Sequence, residues 1–140
     1  MAEKHDKTPK DRLGPIKTFE DLDAWKICRK LRSEIANLVC SFSQHERYRL
    51  SDQLIRAARS ATANLAEGYG RFHYAENVQF ARQARGSLYE VLDHLTVALD
   101  EGFIKDDQFQ SVREDVIRAV AVVNGYIRYL VAAKSHPRAS

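Results

Sequence analysis

Four stretches of the chain repeat apolar residues at helical spacing. Leu22, Trp25, Cys28, Leu31, Ile35, Leu38, Val39 and Phe42 step by three and four, which keeps one helix face apolar for about six turns. Leu50, Leu54, Ala57, Ala58, Ala61 and Leu65 mark a second stripe. A third runs through Val78, Phe80, Ala84, Leu88, Val91, Leu95 and Ala98, and a fourth through Phe109, Val112, Val116, Val120, Val123, Ile127 and Leu130. The pattern predicts helices over residues 19–42, 46–67, 74–101 and 107–133. Trp25, Leu31, Leu54, Leu65, Leu88, Leu95, Val116 and Ile127 are expected inside. Four such helices with short connections define an all-α fold, an antiparallel up-and-down four-helix bundle over residues 18–133. Residues 1–17, polar and without apolar period, are expected to be a flexible arm, and 134–140 a disordered tail.

Local signals refine the ends. Thr18 with Asp21 reads as the cap of helix one, Ser43 with Glu46 as a capping box for helix two, and Asp107 with Gln110 as the cap of helix four. Gly68 reads as the glycine that stops helix two, and Gly86, inside helix three, as a point of close backbone packing. The stretch Asn64 to Arg71 ends one helix and launches the next. Asn64, Glu67, Gly68 and Arg71 are expected to form a polar corner there, structural first and part of a binding surface second. In helix four, Ile117, Ala121, Val122 and Tyr129 point away from the main stripe. With Leu92, Val97 and Leu99 of helix three, they exceed what one bundle face buries and mark a subunit interface.

Charge adds one feature. The net charge of +3 is small, but it is unevenly spread. Between Gln44 and Arg85, seven arginines face four acids and there is no lysine; residues 86–115 carry −6, and 116–140 carry four basic residues and no acid. Arg56, Arg59, Arg71, Arg82 and Arg85 are therefore the candidate nucleic-acid-binding residues, against the plainer reading of solvated helix faces with ordinary ion pairs. Cys28 and Cys40, twelve positions apart on one expected helix, lie too far apart to bond and read as reduced thiols. With no signal peptide, no run of 18 apolar residues and no lipidation signature, the protein is expected in the cytoplasm and off the membrane.

Catalytic constellations do not emerge. A di-iron bundle needs carboxylates from all four helices and two Glu-x-x-His pairs, and the chain has neither pair. Glu90, Asp93 and His94 form one patch, too few ligands for a metal. Arg85-Gly86-Ser87 is no nucleophile elbow, and the glycines before helix three lack a P-loop lysine. No catalytic residue, metal or cofactor is expected, and the protein is not expected to be an enzyme.

From Phe19 to about Leu99 the chain resembles the four-helix bundle family named for intervening sequences in bacterial 23S ribosomal RNA genes. The likeness rests on Phe19-Glu-Asp-Leu22 with Trp25, on Phe42 followed by Glu46, Tyr48, Leu50 and Gln53, and on Arg56-Ala57-Ala58 with Ser60. It continues through Asn64-Leu65-Ala66-Glu67-Gly68 with Gly70 and Arg71, then Glu76, Phe80 and Ala84-Arg85-Gly86-Ser87-Leu88 with Glu90. Ile55 and Arg49 depart from the usual arginine and glycine, Arg59 from an apolar residue, Thr62 from a common proline and His73 from a capping serine. The resemblance implies a left-turning bundle assembled as a homopentamer, with no established enzymatic activity. Related bundles include the accessory variability proteins of diversity-generating retroelements, basic pentamers that partner a reverse transcriptase and RNA. The expected role is a self-assembling, non-enzymatic scaffold, with a protein partner or none beyond itself. The alternative is an RNA- or DNA-binding accessory protein acting with a nucleoprotein partner such as a reverse transcriptase.

Overall fold

A computed structural model of the chain describes residues 16–43 and 49–135. Among these, a short 3-10 helix at Phe19–Asp21 precedes four α-helices: α1 (Asp23–Val39), α2 (Leu50–Gly70), α3 (Tyr74–Asp100) and α4 (Asp106–Ser135). Each helix packs on two neighbours, in the cyclic order α1, α2, α3, α4, and among the described residues the backbones of diagonal pairs stay apart. With short α2–α3 and α3–α4 connections this is the antiparallel up-and-down bundle that the periodicity predicts. The four stripes converge on one core, in which Ile35, Leu54, Leu65, Leu88, Leu95, Val91, Val116 and Val123 are fully enclosed. Most of the expected arm and tail, and the Ser43–Glu46 capping box, fall outside the described residues.

Trp25 departs from expectation. It is half-buried at the bundle edge, its ring edge-on to Phe19 at 5.1 Å with the Arg29 guanidinium 5.5 Å above it. Helix one is also not continuous from residue 19. The Thr18–Asp21 capping box is present but caps the 3-10 turn, and Leu22 is extended (φ −72°, ψ 127°) before α1 begins. The Asp21 carboxylate also accepts the Lys17 N–H (2.9 Å), and these backbone bonds hold its pKa below the usual range. At the other end, α1 stops at Val39, so Cys40 caps the helix instead of lying inside it. Both thiols are free, and burial pushes that of Cys28 up to about 12.

Helix ends and packing differ from expectation at three points. Gly68 does not stop α2, which continues to Gly70; the residue in the left-handed conformation is Phe72 (φ 56°), four positions on. Gly68 is small for another reason. A Cβ there would sit 2.7 Å from the Phe80 Cβ and 2.8 Å from Asn77 Oδ1, so α3 can approach only a glycine. The glycine that does terminate a helix is Gly102 (φ 79°), after α3. There the Phe103 N–H donates to the Ala98 carbonyl and the Gly102 N–H to that of Leu99, the paired bonds of a Schellman cap. Gly86, expected at a close approach, has no atom within 4 Å of its would-be Cβ and faces open space. The cap of α4 lies two positions earlier than Asp107 with Gln110: the Lys105 N–H donates to Gln108 Oε1 at 2.9 Å.

Candidate interaction surfaces

Helix geometry scatters the five singled-out arginines over several faces. Arg56, exposed on α2, lies 3.6 Å from Asp52 and borders an open groove with Arg49, Gln53 and, from α3, Val97 and Glu101. Arg59, three residues on, turns toward α1 instead. Arg71 pairs with Glu67 at 3.0 Å and lies over the Phe80 ring at 5.3 Å. Arg85 reaches across to α4 and donates to Asn124 Oδ1 at 2.9 Å. Arg82 is exposed on α3. Among the described residues neither Arg59 nor Arg82 has a carboxylate within ion-pair distance. Within one chain these side chains therefore do not form a single patch.

The Asn64–Arg71 corner divides in the same way. Glu67 and Arg71 meet as an exposed pair, of the kind that stabilises by about 0.3–0.5 kcal/mol. Asn64 belongs elsewhere: its amide donates to the Ser60 carbonyl (2.9 Å) and to Ser60 Oγ (3.1 Å). Ser60 in turn accepts from Ser87 Oγ of α3 at 2.9 Å. These groups form a polar ladder within the α2–α3 seam. One seam further, the Asn77 amide donates to the Tyr126 hydroxyl at 2.9 Å, and burial raises the Tyr126 pKa to about 12. Just past the corner, Phe72 is 86% exposed, its strained backbone holding the ring out in solvent.

The outer face of α4 carries the four off-stripe residues. Ile117 (38%) and Tyr129 (43%) are exposed, Ala121 is exposed, and Val122 is half-buried against the core. Among the described residues α4 is the one helix long and apolar enough to cross a membrane by length and composition, with a mean hydropathy of 1.4 over a stretch only 33% buried. A bundle helix this apolar and this uncovered presents a surface that water solvates poorly.

The flanks of α1 hold residues that the periodicity left unmarked. On the α2 side, Arg32 Nη1 donates to Thr62 Oγ1 at 3.0 Å, and Thr62 donates onward to the Arg59 carbonyl. A cleft of about 180 Å³ opens beside them, lined by Arg32, Ser33, Ala36, Ile55 and Arg59. Arg59 and Thr62, two of the departures from the family pattern, thus converge on Arg32. On the α4 side, Glu34 meets Asp115. Burial, a hydrogen bond from one carboxyl to the other and repulsion by the Asp115 charge raise the Glu34 pKa to about 7, with Lys30 and Arg118 opposing. In the sequence these residues show only as polar positions bordering the stripe, a signal shared with every solvated helix edge.

Among the described residues no three His, Cys, Asp or Glu side chains gather into a metal-ligating group. His94 instead contacts Glu90, one turn away, at 3.4 Å. No curated protein matches the chain. A family model described as 23S rRNA-intervening sequence protein matches residues 20–125, which cover the bundle from the 3-10 turn through most of α4. The chain belongs to the 23S rRNA-intervening sequence protein family.

Proposed function

We propose that the protein is a non-enzymatic, self-assembling interaction scaffold of the cytoplasm, closing into a ring of five subunits through the outer face of α4. The observation that supports this reading is the uncovered apolar surface of Ile117, Ala121, Val122 and Tyr129 on a bundle whose other stripes are enclosed. Cover by a second copy is favoured over lipid because Arg118 and Arg128 interrupt the exposed side of the same helix. The ring of five follows the family likeness, and a closed ring covers the same patch on every subunit. Sedimentation equilibrium of the wild type should give an assembly at micromolar concentration, and Val122→Asp or Tyr129→Asp should dissociate it. A wild-type monomer there removes the reading.

A second reading, an RNA- or DNA-binding accessory role beside a nucleoprotein partner such as a reverse transcriptase, extends the likeness to accessory variability proteins. Arg59 and Arg82, with no carboxylate partner among the described residues, favour it, since a pentamer repeats each such cation five times. On this reading RNA affinity falls steeply with salt, and salt-independent or absent binding speaks against it.

A further inference from the structure

We propose that the cleft between α1 and α2 is a binding site for a phosphate group, held by the guanidinium groups of Arg32 and Arg59 and by the Ser33 hydroxyl. The proposal goes beyond self-assembly and does not depend on it.

The two cations come from different helices and converge on one concavity. Arg32 is half-buried and fixed: one of its N–H groups is bonded to Thr62 Oγ1, and the Thr62 hydroxyl is itself anchored on the Arg59 carbonyl. A guanidinium presents five N–H donors in a rigid fork, so this tether fixes the fork at the edge of the cleft and leaves other donors unspent. Arg59 borders the same space from α2. Neither guanidinium has a carboxylate within 4 Å among the described residues, because the nearest acids on the same helices are engaged elsewhere. Glu34 is turned to Asp115 on the opposite flank of α1, and Asp52 lies against Arg56. Two positively charged side chains thus border one cleft without a counter-charge among the described residues.

The chemistry of the lining selects among anions. A cleft of about 180 Å³ equals roughly six liquid-water volumes at about 30 Å³ each, room for a phosphate and part of its water shell. A planar carboxylate satisfies one guanidinium fork. A tetrahedral phosphate offers three oxygens in different directions and so can take donors from α1 and α2 together with a hydroxyl, while its charge of about −2 matches two arginines. Ala36 and Ile55 add an apolar wall that lowers the local dielectric and strengthens these bonds.

The test is a titration of the full chain with inorganic phosphate at fixed ionic strength, read by isothermal calorimetry and by the arginine Nε–H NMR signals. Saturable binding is expected, with the Arg32 signal shifting. Arg59→Ala and Arg32→Lys should each weaken it at least about tenfold, the loss of one charge-assisted bond. Arg71→Ala, which lies outside the cleft, should leave it unchanged. Arg59 is exposed, so its truncation should preserve the helical circular dichroism and the sedimentation of the wild type. An RNA oligonucleotide with and without a 5′-phosphate then separates the sources. A preference for the phosphorylated end that Arg59→Ala abolishes identifies a phosphomonoester, and equal binding of both, weakened alike by Arg59→Ala, identifies the backbone diester. No saturable response to inorganic phosphate, or Arg59→Ala and Arg32→Lys variants that bind as the wild type does, overturns the proposal.

Discussion

The α2–α3 seam and the flanks of α1 are built on the same periodicity and end in opposite chemistry. Between α2 and α3 the facing positions are small: Ala57, Ala61 and Gly68 on one side, Ala81, Ala84 and Ser87 on the other, all buried. In the middle of the seam the helices close until Ser60, Asn64 and Ser87 satisfy one another, while at its end a groove opens between Arg49, Gln53 and Arg56 on one side and Val97 and Glu101 on the other. Along α1 the flanking residues are long and charged, Arg32 on one side at the rim of a cleft and Glu34 on the other against Asp115. Where the facing residues are small, the seam is all structure. Long charged ones leave edges where solvent, ions and protons enter.

The largest effect that tests this contrast lies in the core behind the tight seam. Leu88 is fully enclosed between the helices, and Leu88→Ala should cost about 2–5 kcal/mol in chemical denaturation, the range for a buried leucine whose cavity only partly collapses. A loss below about 1 kcal/mol means that the seam is looser than its geometry indicates.

Two glycines sharpen the same comparison with opposite signs. Gly68→Ala places a Cβ against Phe80 Cβ and the buried, unpartnered Asn77 Oδ1, neither of which is the free end of a flexible chain. It should destabilise by about 1–3 kcal/mol through overpacking. Gly86→Ala enters open space in mid-helix and should stabilise by about 1 kcal/mol, the difference in helix propensity. Thermal melts of both variants give the two signs directly, and matching signs refute the account.

These glycines also show what was legible in the chain and what was not. The stripes named the bundle, the order of its helices and nearly all of its core, because burial enforces period 3.6 over many turns. Trp25 lies on the stripe yet outside the enclosed core, because its large ring packs at an edge, against Phe19 and under Arg29. A glycine is silent about its purpose: Gly68 and Gly86 have the same local propensity, and only the distance to the neighbouring helix separates them. The same holds for cations. Arg56 and Arg59 are three apart in sequence yet border different clefts, one toward α3 and one toward α1. Arg32 gave no sequence signal, because its importance depends on Thr62 and Arg59, about thirty positions away in the chain.

The smallest expected effect concerns the other flank of α1, and its direction with pH follows from the Glu34–Asp115 contact. Unfolded, the Glu34 carboxyl loses its proton near 4.5; folded, it keeps it up to about 7, through burial, the hydrogen bond to Asp115 and the repulsion of that charge. Between these values the native state binds more protons than the unfolded state, so stability falls as pH rises. The contribution is fully present below about 4.5 and lost by about 7. Glu34 is half-buried, so solvent still screens part of the effect, and about 1 kcal/mol is the scale expected. Glu34→Gln keeps a hydrogen-bond donor toward Asp115 and removes the titration. Relative to wild type, this variant should gain stability as pH rises from about 4.5 to 7 and stay ahead above it, with Lys30 and Arg118 unchanged in both proteins. The quantity to measure is the difference between the two melting temperatures across that window, which cancels the titrating groups away from this contact. If that difference is flat, the two carboxyls do not share a proton, and the α1–α4 edge is as inert as the α2–α3 seam.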